Sequence, residues 1–148
     1  NSLNPINLEE FGVLTALEWE MFENQKHFAA TYTLLPDSQN VRMEKTREHM
    51  FYRIGQEALT NAGRHGNAKN IVLGLYLDRD EVRLLIEDDG VGFDKEKLKN
   101  SFRNLGIPGM TERVKQHGGK LTITTAPNKG TVIIASVPKL PEDRIEEL

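Results

Sequence analysis

Two eight-residue runs, IVLGLYLD (71–78) and EVRLLIED (81–88), lie two residues apart. Both are rich in aliphatic and β-branched residues, and Arg79-Asp80 between them suits a tight hairpin turn. A second pair follows, KLTITTA (120–126) and GTVIIASVP (130–138), around Pro127-Asn128-Lys129. Helical patterns fall before and between the two hairpins. Adjacent hairpins with intervening helices predict an α+β two-layer sandwich, with helices on one face of a mixed sheet.

The helical patterns are read from spacing. Leu8, Phe11, Leu14, Leu17 and Met21 recur at three and four residues behind a capping Asn7, with Glu9 and Glu10 in the first turn. This predicts one helix over 8–26, with Trp19 in its core-facing set. FAATYTLL (28–35) alternates and stops at Pro36-Asp37-Ser38, as a strand and turn do. Residues 41–66 read as one long helix, lined by Met43, Met50, Ile54, Ala58 and Ala62 and stopped by Gly66. DKEKLKNSFRN (94–104) is polar and weakly patterned and is expected to be a mobile loop; GMTERVKQHGG (109–119) is a short helix with a glycine stop. PKLPEDRIEEL reads as a frayed acidic tail.

Composition removes several functions. The chain has 148 residues, enough for one domain with a real core, and is 38% hydrophobic and 28% charged. A net charge of −3 and a pI of about 5.8 offer no footprint for nucleic acid. There is no cysteine, so disulfides and thiolate metal sites are excluded. No apolar stretch reaches the roughly 18 residues that a membrane span needs, and no signal peptide is visible. The opening NSLNPIN has no initiator Met, which leads us to expect an excised domain of a longer chain, with 1–7 as linker, 8–138 as the domain and 139–148 as its tail.

The most specific chemistry lies at LLIEDDGVGFD (84–94), where an apolar run meets three acids and then Gly-x-Gly. Alone, this is also an ordinary strand end followed by an Asp-Gly turn. Three other stretches stand in order around it: EALTNAGRH (57–65), GIPGM (106–110) and Gly130-Thr131. Together they resemble the nucleotide-binding domain of the ATPase superfamily shared by gyrase, the ninety-kilodalton heat-shock chaperones, mismatch-repair ATPases and histidine kinases. The chain is most similar to the catalytic ATP-binding domain of two-component sensor histidine kinases, in the nitrate/nitrite-sensor and desaturase-thermosensor branch. LNPINLEEFGVLTALEW, RIGQEALTNAGRH, DDGVGFD and LGIPGMTERVKQHGG carry that likeness, which covers residues 3–138.

The resemblance implies the Bergerat type of sandwich and a role for each box. In D-x-G-x-G the first acid reads the adenine amino group. Here that is Asp88, with Gly90 and Gly92 clearing space beside the base and Asp89 facing solvent. A carboxylate accepting from an exocyclic amine is a strong, selective contact. Glu57, Asn61, Arg64 and His65 recur at i, i+4, i+7 and i+8, on one helix face. The resemblance assigns the Asn61 amide oxygen to Mg²⁺, and Arg64 and His65 to phosphate; a helix-end role for His65 stays open. Glu57 stands where hydrolytic relatives keep a base, and is read as general base, polariser of the acceptor, or outer Mg²⁺ contact. Gly106, Gly109 and Met110 belong to a phosphate-binding box at a helix start, closing an ATP lid over 94–108. Gly130 and Thr131 would support Asp88 or the adenine. His27, His49 and His117 are expected to be surface or capping residues.

The implied ligands are therefore ATP and Mg²⁺. The implied partners are a dimerisation domain bearing the phosphoacceptor histidine, and a response regulator. None of the four histidines is followed by an acid, as the acceptor of this branch would be. The acceptor is thus expected outside this chain, which itself would be monomeric and cytoplasmic, or the cytoplasmic portion of an anchored sensor. Two other readings stay open: an ATP-hydrolysing or serine-kinase relative using Glu57 as base, and a non-catalytic interaction module.

Overall fold

The computed structural model describes residues 5–92 and 106–147, with side chains from residue 8. The expected loop at 94–104 and most of the expected lid at 94–108 lie outside the described residues.

The elements run α1 (Pro5–Phe11), α2 (Val13–His27), β1 (Thr31–Leu34), β2 (Val41–Arg42), α3 (Lys45–Arg64), β3 (Asn70–Leu77), β4 (Glu81–Asp88), α4 (Ile107–Gln116), β5 (Lys120–Thr125), β6 (Thr131–Pro138) and β7 (Arg144–Ile145). Five strands form one sheet in the order β1-β3-β4-β6-β5. β1 runs parallel to β3 and every other pairing in that sheet is antiparallel, so the sheet is mixed as expected. Both hairpins form where their patterns place them.

Side chains alternate across a strand, so one face collects every second residue. On β4 that face holds Val82, Leu84 and Ile86, all buried. Their cross-strand partners on β6 are Val137, Ala135 and Ile133, and on β3 Leu77, Leu75 and Leu73. α3 packs on β4 and β6, α4 on β5 and β6, and α2 on α3 and β1. Helices therefore cover the apolar face, and the core lies between the two layers.

Four sequence expectations need correction. The helix read over 8–26 is two helices. Gly12 stands between them at φ 91°, a left-handed value that only glycine adopts freely, and a Cβ there would lie 2.7 Å from Arg42 Cδ. The helix read over 41–66 begins only at Lys45. Glu44 caps it by accepting from the Thr46 N–H, and Val41–Arg42 before it form β2. Residues 139–148, read as frayed, contain β7, which pairs antiparallel with β2. An ion pair and a capping contact hold this segment down. Arg47 Nη1 donates to Asp143 Oδ1 at 2.6 Å, both side chains being nearly sealed from solvent, and Asp143 Oδ2 accepts from the Leu140 N–H. Arg42 adds bonds to Glu48 and Glu146, both at 2.8 Å. Trp19 is also corrected: it is 37% exposed and does not belong to the core.

Candidate functional site

Asp88 takes its place from the strand period. It follows Val82, Leu84 and Ile86 on the helix-facing side of β4, one step beyond the last apolar row. Its row across the sheet reads Ile71, Asp88, Thr131 and Thr125. Here the greasy face of the sheet ends in a carboxylate and two hydroxyls. Thr131 is buried, and its hydroxyl lies 3.0 Å from that of Thr125. Asn61 reaches the same place from α3. Ala58, Asn61, Ala62, Gly66, Asp88, Ile107, Ile123, Thr131 and Ile133 line a single narrow cleft. Its walls are apolar and its polar groups few, as ligand clefts usually are.

Asp88 is the electrostatically loaded member. Burial raises its pKa above the usual carboxylate range, and the neighbouring charges of Asp89 and Glu87 push the same way. The Gly90 N–H, 2.8 Å from Oδ1, and the Thr131 N–H oppose the shift. Tyr32 shows the same field: its hydroxyl, donating to the Leu59 carbonyl, is pushed up to about 12 by burial and by the Asp88 charge. Asp89 is different. It is exposed, as expected, but structurally engaged: it accepts from the Lys69 and Asn70 N–H groups and from Asn70 Nδ2, which lowers its pKa. Two adjacent acids thus have separate tasks. Asp89 ties the start of β3, and Asp88 faces the cleft.

The glycines join three loops beside Asp88. The Val91 N–H donates to the Gly66 carbonyl at 2.8 Å, and the Gly130 N–H to the Gly90 carbonyl at 3.0 Å. The end of α3, the DDGVG turn and the β5–β6 turn are therefore bonded backbone to backbone. A Cβ would stand 2.4 Å from the Gly66 oxygen at Gly90, 2.0 Å from the Ala126 oxygen at Gly92, and 2.1 Å from the Asp88 oxygen at Gly130. These three glycines are required by the protein's own packing. Gly109 is not: a Cβ there meets nothing within 4 Å.

The other expected residues are dispersed around this cleft. Glu57, one turn before Asn61, sits beside Gly106, the residue before α4, which has φ 76°. A Cβ at Gly106 would lie 2.2 Å from Glu57 Oε2. Arg64 and His65 are exposed at the end of α3, where the His65 N–H donates to the Asn61 carbonyl at 2.9 Å as a C-cap; neither lines the cleft. Met110, expected in the phosphate box, is fully buried in the core, because α4 turns that face onto the sheet. His27 is exposed and His117 caps α4.

Sequence reasoning missed the apolar walls. Ala58 and Ala62 flank Asn61 on one helix face, and their small size beside larger core positions was the available signal. Ile123 and Ile133 face each other by register and read only as strand residues. Among the described residues no three His, Cys, Asp or Glu side chains converge on a metal position, and no helix is long and apolar enough to cross a membrane.

A mixed sheet covered on one side by helices, with an acid, an amide and a hydroxyl at the open end, defines an ATPase-type two-layer domain. The chain belongs to the histidine kinase-, DNA gyrase B- and HSP90-like ATPase family, whose model matches residues 46–141. It is 31% identical over 142 residues to the signal transduction histidine-protein kinase/phosphatase DegS of Brevibacillus brevis, covering 95% of this chain and 36% of that protein. It is 32% identical over 144 residues to the sensor histidine kinase LiaS of Bacillus subtilis, covering 97% and 39%. The chain thus spans under two fifths of the length of these relatives. Its fold matches the histidine kinase domain of a blue-light activated kinase from Erythrobacter litoralis, with TM-score 0.67 and 22% identity over 85% of this chain and 58% of that one. It also matches the ATP-binding domain of PrrB from Mycobacterium tuberculosis, with TM-score 0.63 and 20% identity over 84% and 91%.

Proposed function

We propose that this chain is the ATP-binding catalytic domain of a sensor histidine kinase. It would bind Mg·ATP and donate the γ-phosphoryl group to a histidine on a dimerisation domain outside residues 1–148, for relay to a response-regulator aspartate. Residues 8–138 form the nucleotide-binding unit, 1–7 belong to the linker, and the domain works on the cytoplasmic side. The observation that carries this reading is the placement of Asp88: a half-buried carboxylate in the polar last row of the sheet, facing the same cleft as Asn61 and Thr131.

The chemistry follows from these groups. Asp88 accepts from the exocyclic amine of adenine, while Ile107, Ile123 and Ile133 cover the faces of the ring. Gly109 leaves open the first turn of α4, whose N–H groups face the phosphates. A magnesium ion fits the donor set, since a hard cation that keeps its waters and binds phosphates needs only one or two protein oxygens. Asn61, half-buried in the cleft wall, would hold it, and the ion would neutralise phosphate charge. Glu57 stands one turn along the same helix face, where it acts on the acceptor group.

Calorimetric titration of ATP, with and without Mg²⁺, into the chain and its Asp88→Asn variant tests the reading. We expect Mg²⁺-sensitive binding by the parent, weakened on the order of tenfold or more in the variant. A folded parent that binds no nucleotide would overturn it.

A further inference from the structure

Glu57 is approached from three sides. Arg113 of α4 brings Nη1 to 3.5 Å from Oε1, and Arg53, one turn back on α3, brings Nη2 to 3.6 Å. Gly106 lies beside Oε2, close enough that a Cβ there would stand 2.2 Å away. The two arginines are not equivalent. Arg53 rides on the same helix as Glu57, and its Nη1 donates to Gln56 Oε1 at 2.8 Å. It ties Glu57 to its own helix and not to α4. Arg113 comes from the helix that opens at GIPGM. Its Nη1 is buried and makes no hydrogen bond among the described residues, so the ion pair with Glu57 is what this atom has.

The pair joins two helices that each contribute to the cleft, α3 through Asn61 and α4 through Ile107. At 42% and 24% side-chain exposure it is a surface-type pair, and such pairs contribute little to stability. A glutamate has three rotatable bonds, and a planar guanidinium on the neighbouring helix narrows the directions its carboxylate takes beside Gly106.

We propose that Arg113 is the positioning residue for Glu57, acting on phosphoryl transfer through that carboxylate and without touching nucleotide. The inference rests on the kinase reading above and names a residue that reading does not use.

The test compares the parent with Arg113→Met, Arg113→Lys, Glu57→Gln and the Arg113→Met/Glu57→Gln double variant. Two quantities are measured for each: the Mg·ATP dissociation constant, and the rate of transfer from γ-labelled ATP to a dimerisation domain bearing the acceptor histidine, supplied in trans. Arg113→Met should slow transfer on the order of tenfold and leave the dissociation constant within about twofold. Added to Glu57→Gln it should cost nothing further, because residues that act as one unit are not additive. Arg113→Lys should recover part of the rate. Losses that multiply in the double variant, or a tenfold weaker affinity in both Arg113→Met backgrounds, overturn the proposal; the second result would make Arg113 a nucleotide contact. A parent that binds Mg·ATP but transfers nothing overturns the kinase reading and this inference with it, and that result is seen before any variant is made. Melting midpoints close to the parent's exclude unfolding as the cause.

Discussion

Asp88 carries a cost that the fold accepts. Its raised pKa means that the folded state holds the proton more tightly than the unfolded chain does. Linkage then fixes the sign. The contribution of Asp88 to stability is fully present below its unfolded pKa and is lost as pH rises through the folded one. Asp88→Asn keeps an oxygen to accept from Gly90 and removes the charge. The melting midpoint of the variant relative to the parent should therefore increase from acid toward neutral pH, while nucleotide affinity falls; a flat difference across that range would show that burial does not strain the carboxylate. The glycines make a parallel contrast. Gly92→Ala, at φ 65° and against the Ala126 oxygen, should destabilise by about 1–3 kcal/mol or more. Gly109→Ala should be neutral or up to about 1 kcal/mol stabilising, since alanine is the better helix former, yet should weaken ATP binding if phosphate comes close. Thermal melts paired with titrations separate the two demands. From sequence, Asp88, Asn61 and Thr131 were identified as one site, and the structure gathers them. The burial of the Met110 side chain was not legible, because a box motif gives neighbours along the chain and not the direction a helix turns them.

At the scale of elements, hairpins were the most legible part. Glu81–Asp88 forms as read, since eight alternating residues between turn signals leave little choice. Helix starts were less legible. Leu8, Phe11 and Leu14 keep helical spacing across Gly12, so periodicity alone does not show the break; the break appears only when the Arg42 side chain is seen lying over that glycine. β2 and β7 were missed for a related reason. Two residues each are too short to alternate, and they exist because Val41 pairs with Ile145 and Arg42 with Arg144, from opposite ends of the domain. What anchors them is Arg47 with Asp143, a pair at 4% and 0% side-chain exposure. Removing Asp143 leaves the Arg47 charge buried with only the Pro138 carbonyl to meet it. Asp143→Ala should lower stability by about 3–5 kcal/mol, and Arg47→Met/Asp143→Ala should lower it less than Asp143→Ala alone. Chemical denaturation of the three variants checks this, and a double variant that sums the single losses would sink the argument.

Taken whole, the molecule is a two-layer frame with its chemistry at the open end of one polar row. The family model ends at residue 141, so Asp143 and β7 lie beyond what it matches, and the buried pair with Arg47 reaches across that limit. That pair spans 96 residues of sequence. Synthesis delivers a chain from its N-terminus, at about 5–20 residues per second. For several seconds after α3 is made, the guanidinium of Arg47 therefore has no Asp143 carboxylate to meet, and the contact that pins β7 beside β2 forms only once residue 143 has been made.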